Sequence, residues 1–300
     1  MRGERTRRFC SIVKATALET LSEPLSLLVL LAALTIVVLA PAFHYHQFGE
    51  ATRMARDAGL SALFVCGAVI AVFGTIRAFR REIESGTIEM ALAHPVTRTG
   101  FFFAKGVGAF LAFLVFSLIV FLTSVTVVEG AAVGGKIAER TADIARLWGP
   151  AYAAGIGILV GPLAAGAVLN RFARCRFVLS SFCVAAVLSV AAAGFFASFD
   201  PSLALRLVPA AVLIVLLSSV YLSAAAAFSV RLKANAAAAA TGVVFLLLLP
   251  AVGNYYLSNA LSGGRSIPWP YVGQAALVTL PAILLFALLG VRAINRRDIS

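Results

Sequence analysis

Few residues in this chain have the types and spacing to do chemistry. Gly130, Gly135 and Lys136 spell G-x-x-x-x-G-K, the opening of a loop whose backbone amides cradle phosphate. The next residue is Ile137, where a Ser or Thr hydroxyl should hold magnesium, and no strand ending in a carboxylate follows, so nucleotide binding is not expected there. His44 and His46 form an H-x-H that suits copper or zinc, but no third ligand stands out and no metal site is expected. Cys10, Cys66, Cys175 and Cys183 are scattered without metal spacing and read as structural thiols. No Ser/His/Asp set or carboxylate pair marks a hydrolase at membrane depth. What remains is the stretch from Arg80 to Lys105, the densest polar segment of a chain that is 61% hydrophobic and 13% charged. Its chemistry is that of charge-assisted contact rather than bond breaking.

The elements that must position this stretch are apolar. Over 300 residues the mean hydropathy is +0.97, which places the chain among multi-span membrane proteins. A bilayer core takes about 20 apolar residues per helix. Eight such spans are expected, near 25–43, 60–79, 104–128, 150–169, 177–199, 207–230, 236–257 and 274–293. If one apolar pair within 203–235 fails to cross, six remain. The fold class is therefore an all-α polytopic membrane protein. Residues 1–24 form a cytoplasmic amphipathic segment ending at Pro24, residues 25–293 one transmembrane domain, and residues 294–300 a cytoplasmic tail. The apolar run after Arg7 and Arg8 is too long for a signal-peptide core and has no small-residue cleavage site.

Charge sets the orientation. The net charge is +12, but the basic residues sit in short loops, so it reads as topology rather than a nucleic-acid surface. With both termini inside, all but seven of the 25 Lys and Arg residues are cytoplasmic; the seven are Arg53, Arg56, Lys136, Arg140, Arg146, Arg206 and Arg265. Tyr45, Trp148, Tyr152, Tyr255, Tyr256, Trp269 and Tyr271 cluster at the outer span ends, as interfacial aromatics do. No ionisable residue is expected near a midplane, where one usually marks an ion relay. Pro162 is the expected mid-span breaker, and Gly157 with Gly161 the expected close-packing pair, with Gly155 and Gly166 nearby.

Within the polar stretch, Gly86 and Thr87 allow a sharp turn after the second span. Ile88, Met90, Ala91 and Leu92 then give a short helix an apolar face. Pro95 ends that helix, and Thr97 or Thr99 can cap the next. On these residues alone, a solvated interfacial loop and a partner-gripping hairpin both fit.

The pattern Glu82-x-Glu84-x-Gly86-Thr87-x-Glu89, then Pro95-Val96-Thr97-Arg98 and Lys105-Gly106, resembles the cytoplasmic signature of ABC type-2 permeases. The branch it most resembles includes the permease of the nitrous-oxide-reductase maturation system and related bacterial exporters. Met90-Ala91-Leu92 departs from that family's double leucine. The N-terminal segment resembles its elbow helix, and Asn295-Arg296-Arg297-Asp298 its basic-acidic tail. The resemblance implies two permease subunits, identical or different, each engaging a separate ATPase subunit that holds ATP and magnesium. Contact would run through a coupling helix within 80–100, made by Glu82, Glu84, Gly86, Thr87, Glu89, Leu92, Pro95 and Arg98. It further implies a non-enzymatic chain without a cofactor of its own, in a bacterial cell membrane, working in export. An ion-driven carrier and a non-transporting scaffold are the alternatives. The lack of midplane charge disfavours the first, and the second shares the same hairpin.

Overall fold

A computed structural model describes residues 2–40, 51–84, 97–138, 144–197, 201–252 and 267–296. Among these the chain forms helices and no strand. The first two helices are α1 (Arg2–Leu21) and α2 (Pro24–Leu39). They meet at 61° because Pro24 opens α2 without an amide to offer and holds Glu23 extended (φ −74°, ψ 135°). The Ser26 hydroxyl donates to the Thr20 carbonyl at 2.7 Å and ties the bend together.

Helix α3 comprises Ala51–Val69, a π-helical turn at Ile70–Gly74, and Thr75–Glu84. Helix α4 (Arg98–Ala138) is 41 residues long, hence roughly 60 Å, about twice the hydrocarbon thickness of a bilayer. Its start is capped as expected, with the Gly100 amide donating to Thr97 Oγ1 at 3.1 Å. There follow α5 (Ile144–Ala173), α6 (Phe177–Ala197), α7 (Pro201–Arg231), α8 (Ala234–Val252) and α9 (Trp269–Asn295).

Each of the eight expected spans coincides with one of α2 to α9, so the chain is an all-α polytopic membrane protein. Six described helices are long and apolar enough to cross alone: α3, α4, α5, α6, α7 and α9. The bent α1–α2 pair makes seven if taken as one span, and α8 is a shorter apolar helix. Helix α4 is the axis of the bundle and packs against α1, α2, α3, α5, α6, α7 and α9. It buries Phe113, Phe116, Ile119 and Val120 completely. Helix α9 lies along α7 and turns Leu277, Val278, Leu284, Leu285 and Leu288 outward, as lipid-facing residues.

Two expectations are corrected. Pro162 does not break α5, which runs on through it, and Pro209 and Pro281 also sit inside helices. Neighbouring helices in a bundle can satisfy the carbonyl a proline frees. The irregularity lies instead at the π turn of α3, which no proline announces. Gly157 meets nothing within 4 Å; Gly161, against Leu188 at 2.9 Å, and Gly166, under Ser181, bring α5 onto α6. Glu129 is also buried in α4, at 1% exposure. It stands one residue past the span expected to end at 128.

Candidate coupling site at the base of α3 and α4

Every basic residue in the last turns of α3 is matched by a carboxylate. Arg80 pairs with Glu84 one turn further on at 2.5 Å, a favourable i, i+4 spacing. Arg81 reaches Glu19 on α1 at 2.7 Å, and Arg77 reaches Glu23 at the α1–α2 bend at 3.0 Å. Glu82 accepts from Lys105 of α4 at 2.5 Å.

The last of these differs from the rest, because Lys105 is only 2% exposed. An ammonium taken out of water loses several kcal/mol of hydration, and an opposed carboxylate must offset that loss. Beside it, Phe79 packs against Phe102 with the rings tilted and their centres 5.3 Å apart. Phe79, Phe101, Phe102, Ala226, Val230, Ala293 and Ile294 form one buried cluster that joins α3, α4, α7 and α9. Gly290 of α9 lies directly under the Phe102 ring, where a Cβ would collide with it. Helix α1 packs on α4 just above, with Gly108 leaving room for Thr16 and the Val13 carbonyl. The two stems of the 80–105 stretch are thus fixed to each other and to α1.

The structure places the expected site residues unevenly. Glu82 is turned toward Lys105 through one carboxylate oxygen, with 27% of its side chain still exposed. Glu84 is exposed on the rim, and Arg98 opens α4. Gly86, Thr87, Glu89, Leu92 and Pro95 lie outside the described residues. Sequence reasoning missed Glu19 and Glu23 as partners. A signal was available: two acids four residues apart can face Arg77 and Arg81, two bases at the same spacing.

Gly130 to Lys136 belong to continuous α4, whose amides are engaged in the helix rather than curled round a phosphate. His44 and His46 lie outside the described residues, among which no His, Cys, Asp or Glu group could hold a metal. All four cysteines are free thiols.

A bundle of membrane-length helices with a paired charge cluster at the base of α3 and α4 defines a multi-pass membrane component. The model of the ABC-2 family transporter protein family matches residues 28–268, and the chain belongs to this family of membrane permease components of ABC transporters. No curated protein and no solved structure matches it.

Proposed function

We propose that the chain is the permease subunit of an ATP-driven exporter in a bacterial cell membrane, with both termini cytoplasmic. It pairs with a second permease subunit and engages a separate ATPase that carries ATP and magnesium. Residues 85–96, slung between α3 and α4, form the coupling segment, with Glu84, Glu89 and Arg98 offered to the ATPase. The signature in 82–106 also favours the branch of the nitrous-oxide-reductase maturation permease.

One observation carries this reading: the stems of the segment are locked by the buried Lys105–Glu82 pair and the Phe79–Phe102 cluster. A push on 85–96 would therefore reach α3, α4 and α1 as one body instead of dissipating in a hinge. The elbow segment 1–24 and the tail 294–300 complete the cytoplasmic face.

The test is a mild-detergent purification from native cells with the co-purifying chains identified. A P-loop ATPase is expected with the wild type and absent with Glu84→Lys/Glu89→Lys. Glu82 is left intact, since its reversal would break the stem. An ATPase that stays bound to the reversed variant removes the site assignment, and purification without any ATPase removes the exporter reading.

A further inference from the structure

Four basic residues stand at the feet of α7, α8 and α9. Arg231 closes α7, Lys233 precedes the first residue of α8, and Arg292 and Arg296 end α9. All four are exposed, and helices α7, α8 and α9 contain no Asp or Glu. None of the four has an ion-pair partner among the described residues, in contrast to the basic residues at the end of α3. Packing holds the three feet together. Val230, Ala293 and Ile294 belong to one buried cluster, so Arg231 and Arg292 each adjoin a residue of it. The Phe228 ring of α7 meets the Phe286 ring of α9 edge-on at 6.0 Å. Phe228 also packs against the cluster of Ile76, Ala225 and Ala237, the last of which belongs to α8.

The direction of Arg292 narrows what this corner can meet. Gly290, Ala293 and Ile294 turn into the bundle, with Gly290 under the Phe102 ring. Arg292 is on the opposite side of α9, two turns beyond Leu285 and one beyond Leu288, both of which face out. Arg296 follows one turn later on the same stripe. At the other end of the helix, Trp269 and Tyr271 are exposed. From Tyr271 to Arg292 the helix rises about 32 Å, close to the roughly 30 Å of a bilayer's hydrocarbon. Arg292 is therefore at headgroup level when the aromatic pair is at the opposite interface. It emerges from the flank of the bundle, among acyl chains, rather than from the end where a cytoplasmic protein would dock. Helix dipoles and topology account for a cation at the C-terminal ends of α7 and α9. Lys233 stands instead before the positive end of α8, where the dipole disfavours it and an anion would offset the cost.

We infer that the feet of α7, α8 and α9 form a site for an anionic glycerophospholipid. Arg231, Lys233, Arg292 and Arg296 hold its phosphodiester, and an acyl chain lies along Leu285 and Leu288 of α9. Arginine suits this role because its fork of N–H donors matches phosphate oxygens two at a time. Basic groups gathered between helix ends at a membrane surface are a setting in which anionic headgroups bind. Net charge selects the lipid, since the phosphate of a phosphatidylcholine already carries its own cation. Placement in the inner leaflet rests on the cytoplasmic termini proposed above; the binding chemistry does not.

The test places the purified full-length protein in phosphatidylcholine nanodiscs with a trace of photoactivatable lipid. The probe is phosphatidylglycerol or phosphatidylcholine, each with a diazirine at the same position near the carbonyl of one acyl chain. Phosphatidylglycerol should label the 284–292 segment about fivefold more than phosphatidylcholine, the factor that one arginine–headgroup contact supplies. The 277–280 segment should take both probes equally. Arg292→Gln/Arg296→Gln should abolish the excess while leaving the 277–280 signal unchanged, and Arg292→Lys/Arg296→Lys should keep most of it. Arg171→Gln/Arg174→Gln/Arg176→Gln should leave the excess intact. Equal labelling of 284–292 in the wild type overturns the site. So does an excess that falls as far in the 171–176 variant, which would make it attraction to the charged face as a whole. An excess removed by inorganic phosphate at constant ionic strength replaces the lipid with free phosphate and also overturns it. No ATPase takes part, so loss of the exporter reading and loss of the lipid site are distinguishable.

Discussion

Two connections at the same end of the bundle are built on opposite electrostatics. Around 80–105, acids and bases alternate, and the described ones are bound to one another: Arg77 to Glu23, Arg81 to Glu19, Arg80 to Glu84, Lys105 to Glu82. Between α5 and α6, Arg171, Arg174 and Arg176 crowd a three-residue break, all exposed, with no carboxylate among the described residues to meet them. Phe172 is 83% exposed beside them, and Arg174 adopts the left-handed backbone (φ 53°) that reverses the chain. Mixed charge needs geometry to be useful, so its presence in fixed pairs reads as a joint. Single-sign charge needs only proximity to an anionic membrane surface, so it reads as orientation.

The comparison breaks most visibly at Lys105. Lys105→Met leaves Glu82 facing an apolar partner at the base of the bundle, and removing one member of a buried pair costs about 3–5 kcal/mol, toward the lower end here because Glu82 is partly exposed. Heating the protein in detergent should show early aggregation for Lys105→Met. Lys105→Met/Glu82→Met should recover much of the loss, whereas Arg171→Gln should leave the curve where it was. Equal sensitivity at Lys105 and Arg171 would erase the distinction between joint and signal.

Packing gives the next largest difference. Gly290→Val drives a side chain into the Phe102 ring and should cost about 1–3 kcal/mol. Gly157→Val on α5 points into open space and should stay within about 0.5 kcal/mol. The same thermal assay reads both. Comparable losses would mean that Gly157 is covered in the assembled protein.

The basic loop should fail in a different way. Each arginine near an anionic surface is worth about 1 kcal/mol, so Arg171→Gln/Arg174→Gln/Arg176→Gln weakens orientation rather than the fold. Exposed Cys175 provides the readout. A membrane-impermeant maleimide applied to intact cells should leave it unlabelled in the wild type and label a fraction of the triple variant. ATPase capture by the correctly oriented fraction should be unaffected.

Much of this was legible in the sequence. Apolar runs of membrane length specify helices whatever surrounds them, so all eight spans found a helix, and Pro24 placed the bend between α1 and α2. What escaped depends on contacts between distant residues. Nothing local says that Lys105, in an apolar context after three phenylalanines, will be buried against Glu82, and from sequence Glu82 looked free for a partner. The π turn has no composition signal, since Ile70–Gly74 is as apolar as its flanks. Gly157 and Gly161 had the right spacing, with Gly155 and Gly166 nearby, but helix rotation decides which glycine faces a neighbour, and it selected Gly155, Gly161 and Gly166.

The smallest expected effect lies within the joint itself. Arg77 and Glu23, and Arg81 and Glu19, are arginine–carboxylate pairs like those anywhere on a protein surface, with the arginines half to two-thirds exposed. Water screens such pairs, and each should contribute about 0.2–1 kcal/mol. A double-mutant cycle with Arg77→Gln and Glu23→Gln should return a coupling in that range. It should fade in 1 M salt, where the screening length is about 3 Å. The Lys105–Glu82 cycle should return a larger coupling that salt leaves nearly intact, because screening ions do not reach a lysine buried between α3 and α4. If both couplings fade together, Lys105 is wetter than its burial implies, and the joint is held by its phenylalanines alone. If neither fades, the α1 pairs are shielded in the assembled protein, which would place a partner surface over Arg77 and Arg81.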